Sequence, residues 1–150
     1  MSYSNSTAGT ALNAPNNARQ LIDGIYVVTA NLPNAANTVN SSGLDLLQAT
    51  PYPTTDRVDV NIVVTAGVGA NNKNINYVLQ DSADNVTFAN VVYLAAPLFQ
   101  VLDNGNTNVN SANVVVKLQP GGRRYIRIQA TGETNGGAGT NGLTSLQLLF

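Results

Sequence analysis

The stretch RVDVNIVVT, running from Arg57 to Thr65, decides how the rest of the chain is read. Val58, Val60, Ile62 and Val64 fall on one side of a two-residue repeat, while Arg57, Asp59, Asn61 and Thr65 fall on the other. Successive side chains of an extended chain point to opposite faces, so this pattern specifies a strand with one face in a core and one toward water. The same repeat returns three times. Ile75, Tyr77 and Leu79 alternate with Asn74, Asn76 and Gln80. Ala112, Val114, Val116 and Leu118 alternate with Asn113, Lys117 and Gln119, and Ile126, Ile128 and Ala130 alternate with Tyr125, Arg127 and Gln129.

Working outward, Ile25 to Asn31, Leu44 to Gln48, Val86 to Ala95, Leu98 to Leu102 and Leu143 to Phe150 are apolar runs with less regular alternation, and they read as further strands. No window of about a dozen residues keeps a helical spacing of apolar groups, and Asn16 to Ile22 could form one helical turn at most. Strands separated by turns, with no crossover helix, predict an all-β protein: an antiparallel β-sandwich of jelly-roll-like form. Gly67 to Asn72 and Ser82 to Asn85 have hairpin lengths, and Pro120, Gly121 and Gly122 make a tight turn. Two longer segments rich in Asn and Gly, Asn104 to Asn110 and Gly132 to Gly142, suit either binding loops or solvent-exposed connectors.

The chain has 150 residues, one domain's worth, and is divided here into an extended N-terminal arm over residues 1–24 and a β-sandwich domain over 25–150. Its opening segment, residues 1–20, has few large apolar groups, Tyr3 and Leu12 being the exceptions, so it needs a partner surface or its own domain to hold it in place. Charged residues make up 10% and 22 residues are Asn, so solubility rests on neutral amides and hydroxyls. A formal charge of −1 offers no positive excess for phosphate backbones, and nucleic acid is excluded as an expected partner. No run approaches the length of a spanning helix and Met1 to Ala14 lacks the character of a signal peptide, so no membrane partner is expected and synthesis in a cytoplasm is.

Chemistry finds little to work with. There is no His and no Cys, which removes the usual general base, thiolate chemistry and the commonest metal ligands. Lys73 and Lys117 lack a Ser-x-x-Lys spacing, and a single Glu, Glu133, stands against seven Asp, which is poor material for a two-carboxylate site. Asp81, Asp84, Asn85 and the run from Asp103 to Asn110 carry oxygen ligands, but neither stretch has a calcium-loop spacing, and Asx turns explain both. Gly136, Gly137 and Gly139 are followed by no Lys and no helix, so they form no phosphate loop. The expectation is a protein that is not an enzyme, with no cofactor and no metal.

The densest cationic cluster is Arg123, Arg124 and Arg127. On a strand Arg123, Tyr125 and Arg127 share a face, which is either an interface with guanidinium groups around a ring or an outward face paired within the chain to Asp residues. Arg124, by parity, points to the core side, so it must lie at the strand's mouth or meet a carboxylate. Leu146, Leu148, Leu149 and Phe150 form an apolar close to the chain that must be packed in a sheet or against another subunit.

The hairpin from Tyr77 to Phe88, YVLQDSADNVTF, the strand RRYIRIQA from Arg123 to Ala130, the Leu-Asp-Leu at 44 to 46 and the apolar last strand together resemble the small cement or decoration proteins of tailed-bacteriophage heads. The resemblance covers Leu44 to Phe150, and Met1 to Asn17 matches no motif. It implies a jelly-roll-like domain on the capsid exterior of a virion, bound to the major capsid protein of the phage head and to itself as a homo-oligomer, a trimer or dimer at symmetry axes. Candidate interface residues are Tyr3, Leu12, Arg19, Arg123, Tyr125, Arg127 and Phe150. Competing readings are a carbohydrate-binding β-sandwich module, disfavoured by the absence of Trp, and another virion part such as a head-fibre or tail subunit.

Overall fold

The computed structural model describes residues 22–33, 35–46, 58–65, 73–103, 111–119, 122–134 and 143–149. They form the strands β1 (Ile22–Asn31), β2 (Thr38–Asn40), β3 (Leu44–Asp45), β4 (Val58–Val64), β5 (Lys73–Ser82), β6 (Ala89–Asn90), β7 (Phe99–Asp103), β8 (Ala112–Leu118), β9 (Tyr125–Gly132) and β10 (Leu143–Leu149). Every pairing is antiparallel. One sheet has the order β1-β10-β4-β8; in the other, β9 and β5 lie side by side, with β2 and β3 in tandem along β9 and β6 and β7 in tandem along β5. The chain visits the first sheet with β1, the second with β2 and β3, the first with β4, the second with β5 to β7, then alternates through β8, β9 and β10. That wrapping is a jelly roll.

The four alternating stretches become β4, β5, β8 and β9, and their apolar rows face one another across the sandwich. Val60, Ile62, Val64, Val116, Leu118, Leu146 and Leu148 come from the first sheet, and Ile75, Tyr77, Leu79, Val101, Ile126, Ile128 and Ala130 from the second. Tyr77 stacks on its cross-strand neighbour Phe99 with centroids 4.7 Å apart, and the Thr144 hydroxyl donates across the core to the Tyr77 hydroxyl at 3.2 Å. The apolar close of the chain is β10, held between β1 and β4. Asn61, expected toward water, is 5% exposed. It lies on an inner strand with Gln147 and Val115 beside it in register.

Other expectations are corrected. The segment Gly67 to Asn72 lies outside the described residues, but the strands it joins, β4 and β5, are in different sheets and so do not form a hairpin. Ser82 to Asn85 does belong to a hairpin, one whose loop extends over 83–88. Of Val86 to Ala95 only Ala89–Asn90 is a strand. Val92 is 97% exposed, while Val91 and Leu94 tuck against the core, so that segment is a looped excursion instead of a continuous edge. Thr38–Asn40 is a strand that its short length hid, and β1 starts at Ile22, ahead of the expected Ile25.

Candidate interaction face

The outer surface of the second sheet is assembled from the polar halves of the alternating strands. Register sets Gln80 opposite Arg127, Gln129 opposite Asn40 and Thr131 opposite both Thr38 and Asn76. The side chains then bond across strands. The Gln129 amide donates to Asn40 Oδ1 at 3.0 Å, the Gln80 amide to Asn90 Oδ1 at 3.0 Å and the Gln100 amide to Asn76 Oδ1, while the Thr38 and Thr131 hydroxyls bond each other at 3.0 Å. Cross-bonded amides of this kind hold one another in place, so the face is ordered before any partner arrives.

Arg127 lies toward one end of this face, opposite Gln80. Its Nε donates to Gln80 Oε1 at 2.8 Å and its guanidinium lies 4.1 Å from the centroid of the Phe88 ring. Partial burial presses its pKa downward. Among the described residues no carboxylate forms an ion pair with it, which leaves a positioned cation with donors to spare.

Next to it is a cleft of about 270 Å³ lined by Asp81, Asn90, Tyr93 and Arg123 together with Ala89, Val92 and Gly122. Arg123 reaches Asp81 at 3.7 Å. Burial raises the Asp81 carboxyl, and the facing Arg123 charge works against that rise. The Tyr93 hydroxyl accepts the backbone N–H of Gln119 at 3.0 Å, and burial is also the main cause of its upward shift. The loop that closes this end is organised by Asp84, which accepts from Val86 N at 2.9 Å, Thr87 N at 2.8 Å and the Ser82 hydroxyl at 2.8 Å. Those donors, the Thr87 N–H first, bring the Asp84 carboxyl down to about 2. Asp84 is therefore the head of an Asx turn, as one sequence reading had it.

Of the candidate interface residues, Tyr3, Leu12, Arg19 and Phe150 lie outside the described residues. Arg123, Tyr125 and Arg127 share one end of the second sheet, but they do not form guanidinium groups around one ring. The ring of Tyr125 is met by Arg124 at 5.2 Å, and Arg127 is over Phe88 instead. The reason is that β9 begins at Tyr125, so strict alternation does not reach back to Arg123 and Arg124. Arg124 does find its carboxylate. It grips Asp45 with Nε at 2.8 Å and Nη2 at 2.7 Å, a two-pronged bond that holds β3 to the start of β9. Phe88, Gln80, Asn90 and Tyr93 were missed, since their roles depend on pairings far apart in sequence. The one available signal was that Phe88 closes the hairpin begun by Tyr77.

No protein-family model matches the chain, and no curated protein matches it. Among solved structures it is similar to the CBM22-1 xylan-binding domain of Xyn10C from Paenibacillus barcinonensis, with 12% identity over 88% of this chain and 85% of that one and a TM-score of 0.40. A likeness at that level carries no inference about ligand.

Proposed function

We propose that this protein is a structural virion component, a cement (decoration) protein that docks on the outer surface of a bacteriophage head and braces neighbouring subunits of the major capsid protein. The observation that carries the reading is the outer face of the second sheet: a cross-bonded amide surface with Arg127 stacked on Phe88 at 4.1 Å and unpaired to any described carboxylate. A face already ordered loses little side-chain freedom on docking, and an arginine against a ring is the kind of anchor that concentrates binding energy. A protein that works by contact requires no reactive group, and repetition on a symmetric shell multiplies weak contacts. The same amides could donate to sugar hydroxyls, but Phe88, the ring beside Arg127, has one face taken by the guanidinium.

The test is co-sedimentation with phage heads that lack the protein. The unaltered protein pellets with heads and raises their resistance to heat. Arg127→Glu loses about tenfold or more in affinity, the scale of a hot-spot side chain, while its own melting temperature stays put. Heads that neither bind nor gain resistance overturn the proposal.

A further inference from the structure

Each sheet ends in two edges, and among the described residues three of the four are interrupted. β1 carries a register shift between Ile22 and Val27. The β2 and β3 edge is in pieces of three and two residues, and the β6 and β7 edge is in pieces of two and five with the 91–98 excursion between them. Bulges and broken strands are how proteins keep an edge from recruiting another chain. β8 is different. Its seven residues, Ala-Asn-Val-Val-Val-Lys-Leu, run one-to-one along β4 from Val58↔Leu118 to Val64↔Ala112, with no Pro, Gly or bulge. Val115, at its midpoint, is 50% exposed.

We infer that β8 is a self-pairing edge, by which a second copy of this chain adds antiparallel across a two-fold axis at Val115. Three features select a second copy. Only pairing centred on Val115 uses all seven residues of both strands. In that register Ala112 stands opposite the partner's Leu118 and Val114 opposite the partner's Val116, so small meets large and the two apolar rows continue one another. A slip of one residue would set an apolar row against a polar one, and a slip of two would set Val115 against Lys117. Charge agrees as well. Lys117, the charged residue of β8, meets the partner's Asn113 and already stands opposite Asp59 on β4, so no like charges face each other across the axis. The segment ends where the Tyr93 hydroxyl takes the Gln119 N–H. The pairing joins the first sheets of two copies into one continuous sheet.

The pairing is read on purified protein without heads, so it stands or falls separately from shell attachment. The chain has no Cys, which makes a single introduced thiol report on one contact. Val115→Cys is expected to form a disulfide-linked dimer under mild oxidation, because opposed residues sit at about 4.5–5.5 Å between Cβ atoms. Asn113→Cys, displaced from its own mate by about 13 Å along the strands, is expected to stay unlinked. Light scattering should give a dimer for the unaltered protein and half that mass for Val115→Lys, with its melting transition retained because the side chain is half exposed. A monomer at every concentration overturns the inference, since the edge is then covered by the chain itself or left to water. So does a trimer, which an isologous pair cannot close, and so does linking of Asn113→Cys as fast as Val115→Cys.

Discussion

Tyr77 shows what one side chain can do in a core. Its ring fills the centre between the sheets against Phe99, and its hydroxyl is reached by the Thr144 hydroxyl at 3.2 Å. Burial pushes the phenol up to about 12 against the partial relief from Thr144. The folded protein therefore holds this proton to higher pH than the unfolded chain, whose tyrosines ionise near 10. The share of stability that belongs to Tyr77 is present below about pH 10 and is lost as pH rises through about 12. Tyr77→Phe should cost about 1 kcal/mol at neutral pH, because a buried Thr144 hydroxyl is left without its acceptor. It should also flatten the alkaline limb of stability against pH, and urea titrations across that range check both. The alternation at 75–79 placed this ring inward; that a threonine from the far end of the chain would meet it could not be read. For Arg124 parity offered the strand's mouth or a carboxylate; its side chain is 42% exposed just ahead of β9 and also bonds Asp45, a partner that only the packing of β3 on β9 chose.

At the scale of elements, the alternating segments were legible because a strand with a wet face writes its orientation every second residue. Val86 to Ala95 was misread for the opposite reason. Its valines are shared between the core and open solvent with no regular period, and Asp84 bends the chain at the loop before them. β2 was missed since three residues carry no period. The corner where β2 meets β9 depends on a glycine. A Cβ on Gly132 would sit within 2.1 Å of the Ala35 carbonyl oxygen, in a turn where Ala35 itself has φ of 51°. Backbone cannot swing aside as a long side chain can, so Gly132→Ala should destabilise by about 1–3 kcal/mol, the usual range for forced overpacking. Chemical denaturation measures the loss, and amide exchange at Thr38 to Asn40 should show it concentrated in β2. The equivalent change at Gly43 meets only the Asn85 and Phe88 side chains, and is expected to be milder.

For the molecule as a whole, the jelly roll places β10 between β1 and β4, so the last described strand is an inner one. Leu146 and Leu148 are buried on it, and both faces of its backbone ladder are used. Removing residues 143–149 should therefore abolish folding instead of trimming an edge. Losing two buried leucines alone costs about 2–5 kcal/mol each, comparable with the whole stability of a typical domain. Circular dichroism without a cooperative transition is the expected result, and a folded truncated protein would contradict the topology. The proposed attachment and self-pairing belong to this scale too, because both would use surfaces that exist only when distant strands have come together: Gln80, Arg127 and Phe88 on one sheet, the clean edge of β8 on the other.

The amino-acid sequence by itself determined the all-β class and the inward rows of β4, β5, β8 and β9, since each of these is a local matter of period. Tertiary structure alone decided which strands are neighbours, that β4 and β5, joined by a segment of hairpin length, lie in different sheets, and that Gln80 and Phe88 meet Arg127. Turn residues encode a change of direction but not a partner, and in a jelly roll nearly every partner is chosen by how two sheets close over a shared core.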